Sequence, residues 1–355
     1  MYGSYIKTMW RLSDNNACFM KRDIQLDCYR SLTMMYIVCI IHPMLWFHFD
    51  VFGFDPTMLL EMPVIFFIAG ASQKYTRQRT IIETLKNRSL RVLFPYYICL
   101  CNILILMIVA TFLHLSFENE LIDIRKIGLV GIIKLLLTGG SQHIPYLGYT
   151  WFISTYMIIS CSLPFQKWVM HKLQTKWYIL ILLLFFGLWK STGITSPECI
   201  IENIMSYNIF FILGYLTYKK IKTNYLVVIL TAILCIYLIL SGIAVPIGKH
   251  KFPSDMVFVV YNTLTLYILA FVFRKINIKY NTITRLWNER GYTIYLYQSV
   301  THFIVYKIIC ETQIFTNNGI LLFIISTIMV FVLATALSYI TILPEKFILN
   351  KLFKR

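Results

Sequence analysis

Charged side chains are scarce in this chain of 355 residues, where they make up 14% of the composition. A soluble chain would carry roughly a quarter charged residues and, at this length, would divide into about two domains. Apolar residues instead make up 58% of the chain. They fall into runs of about 18 to 24, each long enough to cross a hydrocarbon core. The composition therefore excludes a disordered chain and a soluble α/β enzyme, and it predicts an all-α integral membrane protein.

Cysteine patterns of known function are also absent. The nine cysteines include no Cys-x-x-Cys pair, and most lie inside apolar runs, which argues against a disulfide-stapled secreted fold. We expect them to be small residues facing the core or the lipid. Four histidines predicted on the outer side of the membrane show no zinc-ligand spacing, so we expect no metal site. These histidines are His48, His114, His143 and His250.

The apolar runs predict about ten transmembrane helices with both termini in the cytoplasm. Their approximate ranges are 29–49, 57–73, 92–113, 147–165, 177–194, 200–217, 225–245, 256–273, 291–310 and 319–343. In this orientation 26 of the 33 Lys and Arg residues lie inside, whereas 10 of the 16 acidic residues lie outside. This split follows the positive-inside rule. The net charge of +17 therefore reflects membrane topology and not a nucleic-acid surface.

The chain divides into a short cytoplasmic segment 1–22, a membrane domain 23–345 and a basic cytoplasmic tail 346–355. Met20 is a candidate natural start, which would make residues 1–19 an extension. No apolar core precedes the first span, so we expect no signal peptide. We find no internal repeat, which argues against a transporter built from inverted halves.

His42 is the first candidate for chemistry, because polar groups inside a span are costly and are often functional. It lies toward the outer end of the first span, beside Pro43, which removes a backbone donor. Two interpretations stand. The imidazole either hydrogen-bonds within the bundle or acts as a general base, since it titrates near neutral pH. Arg30 precedes it by about 18 Å along the axis and by about 120° around it, so the two need not share a face.

Arg88 and Arg91 lie where the third span enters from the cytoplasm, at a spacing that places them on one helix face. Paired guanidinium groups suit phosphate, but they also anchor ordinary membrane helices. Glu61 precedes the second span as either a solvated outer cap or a group that orients a histidine. Segment 127–138 is apolar but short, so we interpret it as interfacial or re-entrant.

Aromatic and amide side chains supply the remaining candidates. Trp151 near an interface is by default part of the aromatic belt. Tyr295, Gln298 and His302 follow one another at i, i+3 and i+7 and so form one polar stripe. A polar stripe inside a span either binds a ligand or joins helices, and the sequence leaves both interpretations open.

Taken together, these segments resemble the membrane-bound acyltransferase type 3 family over almost the whole chain. The similarity lies in the order and spacing of several short motifs, none of them specific alone. They are Asp23 to His42, Met62-Pro63 to Gly70, Arg88 to Tyr96, Trp151-Phe152, Phe211 to Gly214, Lys251-Phe252-Pro253 and Tyr295-Leu296.

The chain departs from the family pattern at several positions. The family usually has ten residues between the basic residue and the histidine of the first span, whereas Arg30 and His42 have eleven between them. Glu61 stands where a histidine often precedes Met-Pro, Ala69 where a serine often precedes glycine, and Gln298 where a histidine often follows Tyr-Leu. Because the first-span histidine and the arginine pair remain, we expect a divergent subfamily or altered acceptor choice.

The resemblance implies transfer of an acyl group, most commonly acetyl from acetyl-CoA, to a hydroxyl of a cell-envelope polysaccharide or glycolipid. It places the protein as a multi-pass protein of the cell membrane, the bacterial cytoplasmic membrane in particular. It implies no permanently bound cofactor and no nucleic-acid partner, with acyl-CoA as co-substrate and the saccharide as acceptor.

The resemblance also implies roles for residues. His42 would be the general base and Glu61 a second catalytic group. The CoA phosphates would be bound by basic side chains at the inner face, namely Arg30, Arg88 and Arg91. Weaker candidates for substrate binding or for stabilising the oxyanion are Tyr295, Gln298, Trp151 and a backbone amide near Pro43.

Two rival functions remain open at this point. A carrier or flippase for lipid-linked saccharides would also have many spans, polar groups in the membrane and basic cytoplasmic loops. A relative without activity that serves as a sensor or scaffold would keep the fold. Transport without a change in envelope acyl content would favour the first rival, and acetyl-CoA consumption by purified protein would exclude the second.

Overall fold

A computed structural model shows a helical bundle. It describes residues 23–47, 60–76, 80–112, 116–117, 120–121, 133, 136, 148–196, 199–219, 225–244, 247–276, 278–312 and 319–353. Most of the predicted short segment 127–138 and the predicted N-terminal segment 1–22 lie outside these residues. The description that follows refers to this part of the chain.

Thirteen α-helices are described. They are α1 (Ile24–Tyr36), α2 (His42–Trp46), α3 (Met62–Ser72), α4 (Ile81–Arg88), α5 (Phe94–Phe112), α6 (Phe152–Leu173), α7 (Thr175–Ser191), α8 (Ile200–Thr217), α9 (Tyr225–Leu240), α10 (Ile247–Lys251), α11 (Met256–Lys275), α12 (Thr282–Thr312) and α13 (Gly319–Phe353). Two π-helical turns, Ile37–Ile41 and Ser89–Leu93, and two 3-10 turns, Gln73–Tyr75 and Gly148–Trp151, join some of them. Two-residue strands β1 (Ser116–Phe117) and β2 (Glu120–Leu121) pair antiparallel.

Five helical stretches are long and apolar enough to cross a membrane within the described residues. They are Ile24–Leu45, Ile81–Leu106, Ile200–Thr217, Met256–Lys275 and Gly319–Phe347. A sixth is counted if the pair Gly148–Leu173 and Trp177–Ser191, bent by 115°, forms one span. The all-helical class is therefore confirmed. The number ten and the cytoplasmic termini stay predictions, because α3 has only 11 residues and α9 only 16.

Neighbouring helices run in the directions that the predicted topology requires. Helices α3 and α8 run parallel. Phe66 packs against Tyr207, and further along both segments Tyr75 packs against Tyr218. These helices correspond to predicted spans two and six, which both run inward. The contact of His42 with Glu61 shows that the first span and α3 run in opposite directions, since Asp23 before the first span also lies close to Tyr75 after α3.

Glycines let α3 and α8 approach until their backbones touch. A Cβ on Gly70 would overlap the carbonyl of Phe211, and a Cβ on Gly214 would overlap the carbonyl of Phe67. Small residues at a helix contact are a common means of association in membranes, where van der Waals packing replaces the hydrophobic effect. This reciprocal contact fixes α3, and with it the start of α3 at Glu61, against α8.

An ion pair closes the end of the same bundle that is predicted to face the cytoplasm. Asp23 caps α1 by accepting from the backbone N–H groups of Gln25 and Leu26, and its other oxygen lies 2.5 Å from Lys219 Nζ. Burial acts to raise the pKa of Asp23, but hydrogen bonds from Lys219, Tyr75 and Tyr218 outweigh it and hold the pKa below its usual value. The same pairing raises the pKa of Lys219.

The glycine contact yields a stability prediction. We expect Gly70→Ala and Gly214→Ala to destabilise the protein by about 1–3 kcal/mol each, because an extra methyl group forces the two backbones apart. Thermal unfolding of the detergent-purified protein measures the effect. Gly187→Ala in α7 is the matched control, because its added Cβ meets nothing within 4 Å. Equal melting temperatures for all three variants would contradict the packing argument.

Candidate active site

A π-helical turn precedes His42, and Pro43 accounts for it. The N–H of His42 donates to the carbonyl of Ile37 and not to that of Val38, its usual α-helical acceptor. The next residue has no N–H to offer, because it is Pro43. The Val38 carbonyl therefore accepts from outside the helix, from His302 Nε2 at 2.9 Å. Such single-turn π bulges are frequent at functional sites.

The π-helical turn also corrects the predicted relation between Arg30 and His42. A π turn holds one residue more than an α turn, so the eleven intervening residues place His42 about where ten would in a regular helix. The angle between the two residues then becomes about 20° and not 120°. Arg30 and His42 thus lie along one side of the first span, with Arg30 nearer its N-terminal end.

Gln298 on α12 holds the ring of His42. Its Oε1 lies 2.6 Å from His42 Nδ1, and both side chains are buried. An amide oxygen accepts a hydrogen bond, so His42 carries its hydrogen on Nδ1 and presents a lone pair at Nε2. The other end of this amide, Gln298 Nε2, is buried with no hydrogen-bond partner among the residues described.

Glu61 and Lys251 face the opposite side of the imidazole. Glu61 is buried, and its Oε2 lies 3.6 Å from His42 Nε2, while its Oε1 contacts Lys251 Nζ. Of the two interpretations of Glu61, the solvated outer cap is wrong. Burial favours the neutral amine and lowers the pKa of Lys251 to about 7. The adjoining carboxylate opposes this shift, because it stabilises the ammonium form.

Aromatic residues complete the walls of the site. The ring centroids of Tyr149 and Tyr295 lie 6.4 and 5.8 Å from that of His42. Tyr295 donates to the Tyr149 carbonyl at 3.0 Å, and Tyr149 donates to the Leu296 carbonyl at 2.6 Å. These reciprocal bonds tie the 3-10 turn Gly148–Trp151 to α12. The polar stripe of α12 therefore both joins helices and faces His42.

Trp151 lies at one side of this cluster. Its ring centroid is 5.2 Å from that of Tyr207 and 5.1 Å from that of Phe252. The Tyr207 hydroxyl is buried and, like Gln298 Nε2, has no hydrogen-bond partner among the described residues. Trp151 is therefore packed against other rings near the site and does not stand alone in an aromatic belt.

The arginines lie away from this cluster and at two different helix contacts. Arg30 Nη1 is 3.3 Å from Asp27 Oδ1 and 3.3 Å from Asn288 Oδ1 on α12. The Arg88 guanidinium lies 5.5 Å from the ring centroid of Tyr156 on α6. Arg91 is exposed and sits within the second π-helical turn, so the regular i, i+3 spacing assumed for the pair does not hold.

Sequence reasoning gave no role to Lys251, Tyr149 or Tyr207. Lys251 carried a usable signal, because it is one of only seven Lys and Arg residues predicted on the outer side of the membrane. Tyr207 carried none, since a tyrosine within an apolar helix is ordinary. No group of three His, Cys, Asp or Glu residues that could hold a metal occurs in the described ranges.

The comparison with protein families decides the identity of the chain. A family model described as an acyltransferase domain, of type 3, matches residues 23–339. The chain belongs to this acyltransferase family. Comparisons with curated proteins and with solved structures found no match. The matched region contains the whole of the site described above. Together with the apolar helices, it makes the chain a multi-pass membrane acyltransferase.

The acyltransferase should depend on the hydrogen bond between Gln298 and His42. We expect Gln298→Leu to reduce acyl transfer by about 10- to 100-fold, because a misplaced imidazole loses much of a general-base contribution of about 10²–10⁴. Incorporation of labelled acetyl groups by membranes with equal protein content measures the loss. Thr301→Val on the same helix is the control, since among the described residues its hydroxyl bonds only to the Tyr297 carbonyl within α12. Equal losses in both variants would contradict the role of Gln298.

Proposed function

We propose that this acyltransferase moves an acyl group, most commonly acetyl, from acyl-CoA to a hydroxyl of a cell-envelope polysaccharide or glycolipid. The observation that carries the proposal is the His42 geometry. A buried histidine has Nδ1 fixed by Gln298 and a lone pair at Nε2 beside a carboxylate. That arrangement suits a general base. The bacterial cytoplasmic membrane is the proposed location, with the donor inside and the acceptor outside.

The reaction proposed is direct acyl transfer without a covalent acyl-enzyme, in which the hydroxyl oxygen adds to the thioester carbonyl and the thiol then leaves. His42 Nε2 takes the proton from the acceptor hydroxyl as its oxygen attacks the thioester carbonyl. The new C–O bond forms and the C–S bond breaks, and the imidazolium then returns the proton to the departing sulfur. Glu61 Oε2, 3.6 Å from Nε2, stabilises the positive charge that the imidazole acquires during the reaction.

The negative charge that develops on the thioester oxygen needs donors. Gln298 Nε2 is buried beside His42 and has no hydrogen-bond partner among the described residues, which supports it as an oxyanion donor. Tyr295 is the alternative, although its hydroxyl already donates to the Tyr149 carbonyl. The unpartnered Tyr207 hydroxyl and the ring of Trp151 are the proposed contacts for the acceptor sugar.

The donor would enter from the cytoplasm along the side of the first span shared by Arg30 and His42. Arg30, Arg88 and Arg91 are the proposed phosphate ligands, because guanidinium groups bind phosphate in a bidentate manner. Their separation in the bundle suits a ligand with several phosphates better than a single anion. A carrier for lipid-linked saccharides remains the second candidate, but the fixed tautomer of His42 favours proton transfer.

The central test compares the surface glycans of cells that carry the wild-type chain, His42→Ala or no chain. We expect the wild type alone to add an alkali-labile mass increment of about one acetyl group per repeat, because only it has the base at the site. Mass spectrometry of purified glycans gives the result, with membrane abundance matched by immunoblot. Glycans of equal acyl content in all three strains would favour the carrier function.

The donor site has its own test. We expect Arg88→Met and Arg91→Met to raise KM for acetyl-CoA by about 10- to 100-fold each with a smaller change in kcat, since a lost phosphate contact costs about 1.5–3 kcal/mol of binding. Initial rates with purified protein separate the two constants. Lys86→Met is the matched control, because it removes an exposed positive charge from α4, the helix that ends at Arg88. An equal rise in KM for the Lys86→Met control would show that the arginines act only through overall positive charge and do not bind the phosphates.

A further inference from the structure

Lys251 occupies a position that the proposed function does not yet use. It ends the short helix α10 in a loop predicted to lie outside the membrane. Its side chain nevertheless turns inward, is only 16% exposed, and contacts Glu61 through Nζ. The ring centroid of Phe252 lies 5.2 Å from the same Nζ. A buried ammonium group is tolerated only when a carboxylate compensates it, so Glu61 accounts for this burial.

The contact divides the two oxygens of Glu61 between two partners. Oε1 is engaged by Lys251, while Oε2 faces His42 Nε2 at 3.6 Å, just beyond hydrogen-bond distance. Lys251 thereby holds the carboxylate near the imidazole, and no hydrogen bond forms between them because the carboxylate oxygen and the Nε2 lone pair are both acceptors. Nε2 stays open toward an incoming hydroxyl.

The electrostatic balance around His42 follows from the same contacts. The titratable groups that face it are Tyr149, Tyr295 and His302 at ring distances of 6.4, 5.8 and 6.3 Å, together with Glu61 and Lys251. The two phenols are neutral. His302 donates to the Val38 carbonyl, as a neutral imidazole can. The Glu61–Lys251 pair therefore supplies the charges that influence whether the His42 imidazole is protonated.

We propose that Lys251 is a positioning residue that acts on His42 through Glu61. It keeps the carboxylate compensated and held back, so that His42 remains a neutral base until it receives the proton of the acceptor. Without Lys251, the uncompensated carboxylate of Glu61 would favour protonation of His42 Nε2 before substrate arrives. The imidazolium would then donate to Glu61 and would have no lone pair with which to act as a base. This role rests on the proposed function, in which His42 is the general base.

The pH dependence of acetyl transfer tests the role. Purified protein receives [14C]acetyl-CoA and a glycan extract from cells that lack the chain, over a series of pH values. We expect Lys251→Met to move the acid limb of the rate profile up by about one pH unit, because an uncompensated carboxylate favours the protonated imidazole. Activity should recover at higher pH, and KM for acetyl-CoA should stay unchanged.

Two further variants separate the role of Lys251 from a structural one. Lys251→Arg keeps a cation that can reach Glu61, so its acid limb should stay within a few tenths of a pH unit of the wild type. Lys249→Met removes an exposed charge from the same short helix and should leave the profile unchanged. A rate lowered equally at every pH in Lys251→Met would overturn the proposal.

A Glu61→Gln background provides the decisive comparison. Because Lys251 acts through Glu61, adding Lys251→Met to Glu61→Gln should leave the acid limb where the single variant has it. The double variant buries two neutral side chains, so this comparison can be made even if Lys251→Met alone fails to reach the membrane. A further shift in the double variant would overturn the role of Lys251.

The same assay keeps the two proposals apart. Acetyl incorporation by the wild type that disappears in His42→Ala supports the proposed function, whatever the Lys251 variants do. No His42-dependent incorporation by the wild type would overturn the proposed function and the role of Lys251 together. His42-dependent incorporation with an unshifted Lys251→Met profile would overturn the role of Lys251 alone.

Discussion

The missing N–H of Pro43 is the constraint on which the arrangement of the site depends. It leaves the first span unable to continue its α-helical ladder, and the His42 N–H donates one carbonyl further back, to Ile37. The spare carbonyl of Val38 then binds His302 on α12. One turn away on the same helix, Gln298 holds the His42 ring. A single proline thus sets both the register of His42 and the helix that supports it.

The same device occurs in the third predicted span. A five-residue π turn, Ser89–Leu93, precedes Phe94 and Pro95, and the Phe94 N–H donates to the Ser89 carbonyl. Here too a side chain of α12 binds the turn, since Tyr292 donates to the Val92 carbonyl at 2.9 Å. The long helix α12 therefore connects both interrupted spans, which explains why its inner surface is rich in buried polar side chains.

The sequence was sufficient for the helical class and for the main members of the site, because buried polar residues in apolar runs are conspicuous. His42, Gln298 and Tyr295 were selected on that ground, and Glu61 as a group that could orient a histidine. The fold brings all four together. Their catalytic and binding roles stay proposals. The angle between Arg30 and His42 around the first span could not be predicted, because the calculation assumed a regular α-helix of 100° per residue without a π-helical turn.

The pairing of Lys251 was also beyond sequence reasoning, for a different reason. A lysine in an outer loop gives no indication that it turns back into the bundle, since that depends on the position of Glu61 some 190 residues earlier. The number of spans suffers from a similar limit. Hydropathy identifies apolar runs, but only packing determines whether the 11 residues of α3 form a complete crossing.

The glycine contact between α3 and α8 has a mechanical consequence. Backbone meets backbone at Gly70 and Gly214, so no layer of side chains is available there to slide or repack. The two helices therefore behave as one rigid unit, and the Glu61 carboxylate is attached to it at the start of α3. Any opening that admits the proposed acceptor must then come from the elements around these two helices, and the carboxylate keeps its place while they move.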